Sequence, residues 1–283
     1  MFSIQQTSSS DSSEISQFLE SCSLIHRHLD WLPLMDWTNS VPFLKYLVND
    51  QLEGIFVSPP DPPGIAWIKC FASRNQSDAS HIFTSLLDHA LNMLPTETLP
   101  LLALGLQDWF IKILVLNDFR LIQKVVVLKH KRALPKLLHK PSVLIRPMQL
   151  EDIQEVYVVD RTSFEPIWTV SIQGLKAAFF QSARATVAEM EGKIIGYEIS
   201  TANNFSAHLA RVAVLPEFQK KNIGFLLVHA MIESFYQIGI REITVNTQDT
   251  NKASINLYQK AGFQLSGDQF PIFQYYNALN TGQ

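Results

Sequence analysis

Cysteine is nearly absent from this 283-residue chain, with Cys22 and Cys70 its only two. Two thiols cannot build a disulfide framework, and they read as reduced cysteines of a cytoplasmic protein. Long apolar runs are missing as well. No stretch approaches the roughly 18 residues that span a bilayer, and the opening residues lack the charged-then-apolar pattern of a secretory signal, so no membrane partner is expected. An excess of either charge is absent too. Lys and Arg number 23 against 26 Asp and Glu, a net of −3, which argues against a nucleic-acid partner held by a basic surface. Charged residues make up 17% of the chain and apolar residues 47%, so core material is ample and general disorder is excluded. Collagen, coiled coil, membrane span and knottin fall away on the same grounds. At about 150 residues per domain, the length fits two domains.

Residues 1–16, rich in Ser and Gln with only Phe2 and Ile4 to bury, read as a mobile arm. The stretch KHKRALPKLLHKP over Lys129–Pro141 holds two prolines and a cluster of cations, and there the chain is expected to divide. This gives a first domain over 17–135, a linker over 136–142 and a second domain over 143–283. In the second half, Val143–Pro147 is a short strand, and Ile153, Val156 and Val159 form a helical stripe. Ala185–Met190 and Lys193–Thr201 flank a turn at Glu191–Gly192 and make a hairpin. Ser206–Leu215 is a third strand, followed by a helix with Val228, Met231, Ile232 and Phe235 on one side, a strand at Glu242–Thr247, and a helix over Lys252–Ala261 closed by Gly262. The pattern is mixed α/β. A fainter version of the same order runs through Gly64–Phe119.

Chemistry concentrates between Arg211 and Phe263: RVAVLPEFQKKNIGFLLVHAM, a strand, then NTQDTNKASINLYQKAGF. A loop that becomes a helix near Gly224 offers unpaired N–H groups and the positive end of a helix dipole, which suit a pyrophosphate. Glycine there lets the backbone come close to phosphate, and Lys220 and Lys221 add positive charge. Asn251 and Tyr258 lie seven residues apart, about two helical turns, and so share a face.

This stretch resembles the GNAT acetyltransferase superfamily. Val212, Val214, Pro216, Gln219, Gly224, Asn251, Tyr258, Gly262 and Phe263 fall into the register of its motifs, and the likeness spans about Val143–Tyr276. It implies the acyl-CoA N-acyltransferase fold: a central, mostly antiparallel mixed sheet flanked by helices, here as two tandem domains with the first degenerate. It also implies an N-acetyltransferase that uses acetyl-CoA as co-substrate, without a metal, and an amine acceptor. The cofactor-binding set would be Val212, Ala213, Val214, Gln219, Lys220, Lys221, Asn222, Ile223, Gly224, Asn251, Ser254 and Tyr258. The family's first loop glycine is replaced by Asn222, a residue that tolerates left-handed geometry. By the resemblance, Asn251 contacts the pantetheine and Tyr258 protonates the departing thiolate.

The general base is less defined. The branch of ribosomal-protein alanine N-acetyltransferases, the nearest in pattern, carries a Glu in the strand before the Asn motif, where Thr244 stands here. The histone acetyltransferase branch places a Glu four residues before the first Val of the loop motif, where this chain has His208. Strand alternation sets His208 on the side of Val212 and Val214 unless a bulge reverses the parity. Glu189 and Glu198 compete for the role. Phe164 and Trp168, in the series Asp160-x-x-x-Phe164-x-x-x-Trp168, are expected at the acceptor entrance. A non-catalytic acyl-CoA-binding or protein-interaction module on the same fold is the alternative reading.

The first half lacks these features. At the loop position it has Arg74–Ser80 without glycine, and Leu114 stands where Tyr258 would, so acetyl-CoA is expected to bind the second half alone. His26 and His28 form an H-x-H pair with nothing nearby to complete a metal site. His229 and Glu233 share a helix face without the H-E-x-x-H order of a zinc protease. The acceptor's identity and the oligomeric state do not follow from the sequence.

Overall fold

The computed structural model describes residues 1–95, 100–131 and 143–276. Two compact units form: Met1–Ile122 with Phe270–Gln283, and Gln123–Gln269.

Unit 1 opens with β1 (Phe2–Gln6), α1 (Ser12–Ser21) and β2 (Leu24–Arg27), followed by β3 (Phe43–Val48), β4 (Gln51–Val57), β5 (Ala66–Trp67) and β6 (Cys70–Ser73). Then come α2 (Ala79–Met93), β7 (Leu101–Leu104), α3 (Asp108–Leu116) and the start of β8 (Phe119–His130). Five strands pair in the order β1-β3-β4-β6-β2. The first sixteen residues are therefore not a mobile arm. Phe2–Gln6 pairs along the whole of β3, from Phe2↔Val48 to Gln6↔Leu44, and Ile15 of α1 is fully buried. Backbone pairing orders a Ser- and Gln-rich strand that has little apolar surface of its own. The core around Phe56, Phe71, Phe83 and Phe110 is fully buried, and α2 contributes Ile82, Phe83, Leu86, Leu87 and Ala90 to it at helical spacing.

Unit 2 holds β9 (Leu144–Pro147), α4 (Ile153–Ser163), α5 (Ile172–Gln181), β10 (Arg184–Met190), β11 (Lys193–Ala202), β12 (Ser206–Val214), α6 (Ile223–Gln237), β13 (Glu242–Gln248) and α7 (Lys252–Lys260). The last strand is β14 (Phe263–Tyr275). The strand order is β8-β13-β12-β11-β10-β9, antiparallel except for the pair β12 and β13. The expected hairpin is present, and Glu191 (φ 52°) and Gly192 (φ 78°) both take the left-handed geometry that a tight two-residue turn demands. Helices cover both faces. Tyr197 bonds to Asp160 of α4, whereas a Cβ on its neighbour Gly196 would lie 3.4 Å from Leu227 of α6. Leu227, Val228, Met231 and Ile232 of α6 are wholly buried, each contributing about 1.5–3 kcal/mol by leaving water.

The expected boundary does not follow strand pairing. Val125–Lys129 of β8 pairs with β13 in unit 2, and Ile272–Gln274 of β14 pairs with β7 in unit 1. Each compact unit thus includes a strand from the other end of the chain, a long-range choice invisible to local composition. The expected linker, 136–142, lies outside the described residues.

Candidate active site

The site originates in a register shift. β12 pairs in parallel with β13 from Ser206↔Glu242 to Leu209↔Val245 and no further. On its other side Ser200 of β11 pairs with Leu209 while Ile199 pairs with Arg211, leaving Ala210 as an extra residue. Such a bulge bends a strand and increases its twist. Beyond it, one backbone edge of Arg211–Val214 has no partner strand among the described residues and opens onto a cleft of about 600 Å³. Of the expected cofactor-binding residues, all but Lys221 and Tyr258 line this cleft, as does Phe164.

The loop from β12 to α6 has the expected form. Asn222, at the N-cap of α6, is left-handed (φ 63°), and so is Lys220 (φ 61°). Turns of this kind gather successive N–H groups into an anion-binding concavity. The amides of Ile223, Gly224 and Phe225 precede the first α6 bond, Leu226 N to Asn222 O at 3.0 Å. A Cβ on Gly224 would stand 3.3 Å from Leu257 of α7, another residue that lines the cleft. Gln219 donates through Nε2 to Val214 O at 3.0 Å and pins the loop to the strand end. Lys260, which the sequence did not single out, donates to Asn222 Oδ1 at 2.8 Å and lies 4.8 Å above the Phe225 ring. Lys221 stands 4.9 Å over Phe218.

On α7, Asn251 is the N-cap. Its Oδ1 accepts from Ser254 N at 3.0 Å, and its Nδ2 donates to Gln248 Oε1 at 3.2 Å. Tyr258, two turns on, is 4% exposed and packs edge-on against Phe263. Burial pushes its phenol well above the ordinary tyrosine range, partly offset by a hydrogen bond with Ser254, so the hydroxyl holds its proton at any working pH.

The three candidate bases occupy different surroundings. His208 does not share the face of Val212, because the extra residue at Ala210 reverses the parity between them. Its Nδ1 lies 2.8 Å from Thr244 Oγ1, and Asn246 also bonds to the ring. Burial lowers its pKa, with Asn246 opposing. Glu189 is tied to Arg146 at 2.6 Å. Glu198 stands opposite Val212 in register and is fully buried, held by Ser200 Oγ and by Thr186 Oγ1 at 3.0 Å, with Arg184 Nε at 3.5 Å. Burial drives its carboxyl up to about 7 against those partners.

Phe164 and Trp168 sit between α4 and α5, Trp168 ending a short 3-10 turn. A buried network that the sequence did not disclose fixes this segment. Arg211 donates from Nε to Asp160 Oδ2 at 2.5 Å and to Tyr197 Oη at 2.9 Å, and from its other arm to Trp168 O at 2.6 Å. The guanidinium lies 4.0 Å over Phe164, and Asp160 also accepts from Val170 N at 3.2 Å. The cue in the sequence is an Arg directly before the apolar run Val212–Leu215. Among the described residues, no cluster of three or more His, Cys, Asp or Glu is arranged to hold a metal, and no helix is long and apolar enough to cross a membrane.

Residues 151–263 match the Acetyltransferase (GNAT) family. A candidate ribosomal protein bS18-alanine N-acetyltransferase of Bacillus subtilis is 27% identical over 134 residues, 45% of this chain and 85% of that one. An N-alpha-acetyltransferase of Sulfurisphaera tokodaii is 25% identical over 138 residues, covering 42% and 79% of the two chains. A tandem GNAT protein from the clavulanic acid biosynthesis pathway superposes with a TM-score of 0.62 over 97% of this chain and 98% of its own, at 14% identity, a likeness of fold. Residues 151–263 thus form an acyltransferase domain of the GNAT N-acetyltransferase superfamily, in a chain whose fold is that of tandem GNAT proteins.

Proposed function

We propose that unit 2 moves an acetyl group from acetyl-CoA to a primary amine, that of an amino-terminal peptide or a small molecule, by direct attack in a ternary complex. The open edge of β12 beside the start of α6 carries this reading. The left-handed loop and the free amides of Ile223–Phe225 suit a pyrophosphate, with Lys220, Lys221 and Lys260 adding positive charge. Asn251 and Ser254 line the wall along which the pantetheine arm would run, and the unpaired edge of Arg211–Val214 receives the thioester.

The amine nitrogen attacks the thioester carbonyl carbon, and backbone N–H groups of that edge stabilise the oxyanion. As the C–S bond breaks, Tyr258 gives its proton to the thiolate. His208, on the face of β12 opposite Val212, takes the proton lost by the amine through a water relay. It is preferred to Glu198, which has no exposed surface, and to Glu189, which is paired with Arg146. The names of both relatives point to amino-terminal acceptors, and Phe164 and Trp168 are suited to flank such a chain end. A cytoplasmic setting fits two unpaired thiols that burial keeps protonated, Cys22 pushed up to about 11 and Cys70 to about 12.

The test is release of free thiol from acetyl-CoA in the presence of a panel of amines and amino-terminal peptides. Wild type should release thiol with at least one acceptor, and Gly224→Val, whose side chain crowds Leu257 across the cleft, should abolish it. Binding of acetyl-CoA without turnover on any acceptor would return the reading to a non-catalytic module.

A further inference from the structure

Unit 1 repeats the element order of unit 2, with β3–β4, β5–β6, α2, β7 and α3 standing where unit 2 has β10–β11, β12, α6, β13 and α7. The repeat extends to the cleft-forming step. β5 pairs in parallel with β7 (Ala66↔Leu101, Trp67↔Leu102), as the first part of β12 does with β13, and after a break the chain resumes as β6. In unit 2 the corresponding edge is open. In unit 1 it is taken by β2, which runs antiparallel along all of β6 from Leu24↔Ser73 to Arg27↔Cys70. The pairing continues at both ends, with Ser23 N donating to Arg74 O at 3.2 Å and His28 N to Lys69 O at 2.8 Å.

The side chains agree with the backbone. His26 of β2 is wholly buried, stacked on Phe110 at 3.8 Å, with Nδ1 3.2 Å from Gln107 Oε1. Gln107 is the N-cap of α3, as Asn251 is of α7, and Phe110 and Leu114 follow it at the spacing with which Ser254 and Tyr258 follow Asn251. At the N-cap of α2, the counterpart of Asn222, stands the carboxylate of Asp78, which repels phosphate. We propose that β2 is a built-in occupant of the cleft in unit 1, a strand of the protein's own chain lying where unit 2 takes its acyl-CoA, with the His26 ring at the inner end.

The inference rests on the acyl-CoA reading of the unit 2 cleft for what is replaced, but not for the presence of the strand. To admit acyl-CoA, unit 1 would have to release four paired residues and expose a buried, uncharged imidazole together with the face of Phe110. The occupant therefore stays, and the chain binds one acetyl-CoA.

Hydrogen exchange on the full chain, with and without acetyl-CoA, combined with calorimetry, tests this. The amides of β2 that bond to β6 should exchange as slowly as those of β6, on the order of 10³-fold or more below an unstructured peptide, and saturating acetyl-CoA should leave them unchanged. Stoichiometry should be one, falling to zero in Gly224→Val. Fast exchange of β2, its acceleration by acetyl-CoA, or a stoichiometry of two would each overturn the proposal. Zero stoichiometry in wild type would refute the reading of unit 2, while the protection of β2 would still decide whether the unit 1 cleft is filled.

Discussion

His208 and Val212, four residues apart on β12, face opposite sides of the sheet because Ala210 is an extra residue in the ladder with β11. The bulge produces two effects. It leaves the edge of Arg211–Val214 unpaired, and it brings Val212 onto the face of Ala207 and Leu209, in the apolar cluster they join, while His208 faces Thr244 and Asn246 on the other side.

With His208 as proton acceptor, the acidic limb of kcat/KM reports its titration. Burial lowers its pKa, so the limb is expected below the ordinary histidine value of about 6.5, with activity rising as pH increases through it. His208→Ala should remove the limb and reduce turnover by about 10²–10⁴-fold. A pH–rate profile settles the matter. A limb near 7 that survives the substitution would transfer the role to Glu198, whose carboxyl titrates at about 7.

Glu198 also makes stability depend on pH. Its carboxyl is raised from 4.5 to about 7 in the folded chain, so the unfolded chain releases that proton first as pH increases. Its contribution is fully present below about pH 4.5 and is lost as pH rises through 7, by up to about 3 kcal/mol. Glu198→Gln keeps acceptor and donor atoms in the same pocket and should flatten the loss. Urea unfolding at pH 5.5, 7 and 8.5 (roughly the window of this titration) checks the slope. Equal slopes for the two proteins would remove Glu198 from the account.

The parts of the site legible in the sequence were local. A left-handed Asn222 before a helix, a Gly at the second helical position, an Asn cap and a Tyr two turns later are fixed by spacing within one or two elements. The long-range features were hidden. Nothing in SAHLARVAV marks Ala210 as a bulge, because a bulge is a property of pairing with β11. The exchange of β8 and β14 between the units depends on partners more than a hundred residues away, and the ordering of Phe2–Gln6 depends on β3. Asp160, Tyr197 and Arg211 come from three separate elements and meet only in the folded chain.

Arg211 is the central member of that network, and losing it strands a buried carboxylate. Arg211→Met should cost about 3–5 kcal/mol, the range for breaking one side of a buried pair. The double variant Arg211→Met/Asp160→Asn should cost less than the two single losses combined, since neither charge is left alone. Tyr197→Phe, which removes a hydroxyl that donates to Asp160 and accepts from Arg211, should cost at least about 1.5–3 kcal/mol. Denaturant midpoints of wild type, Arg211→Met, Asp160→Asn and the double variant supply the cycle. Simple additivity would show that Asp160 and Arg211 do not act as a pair.

Tyr258→Phe separates chemistry from binding. The phenol is buried against Phe263, so deleting its oxygen removes little packing and one hydrogen bond with Ser254. A stability loss of about 1 kcal/mol is expected from that bond. The proton it supplies is needed only as the thiolate departs, so turnover should fall by about 10²–10⁴-fold while the Kd for acetyl-CoA stays near wild type. Because burial holds the hydroxyl protonated well past the ordinary tyrosine range, wild type should show no basic limb from this residue below about pH 10. Calorimetric Kd and single-turnover thiol release, measured on the same preparations, give the split. Wild-type turnover in the variant would reduce Tyr258 to a packing residue, and a large loss of acetyl-CoA affinity would make it a binding one.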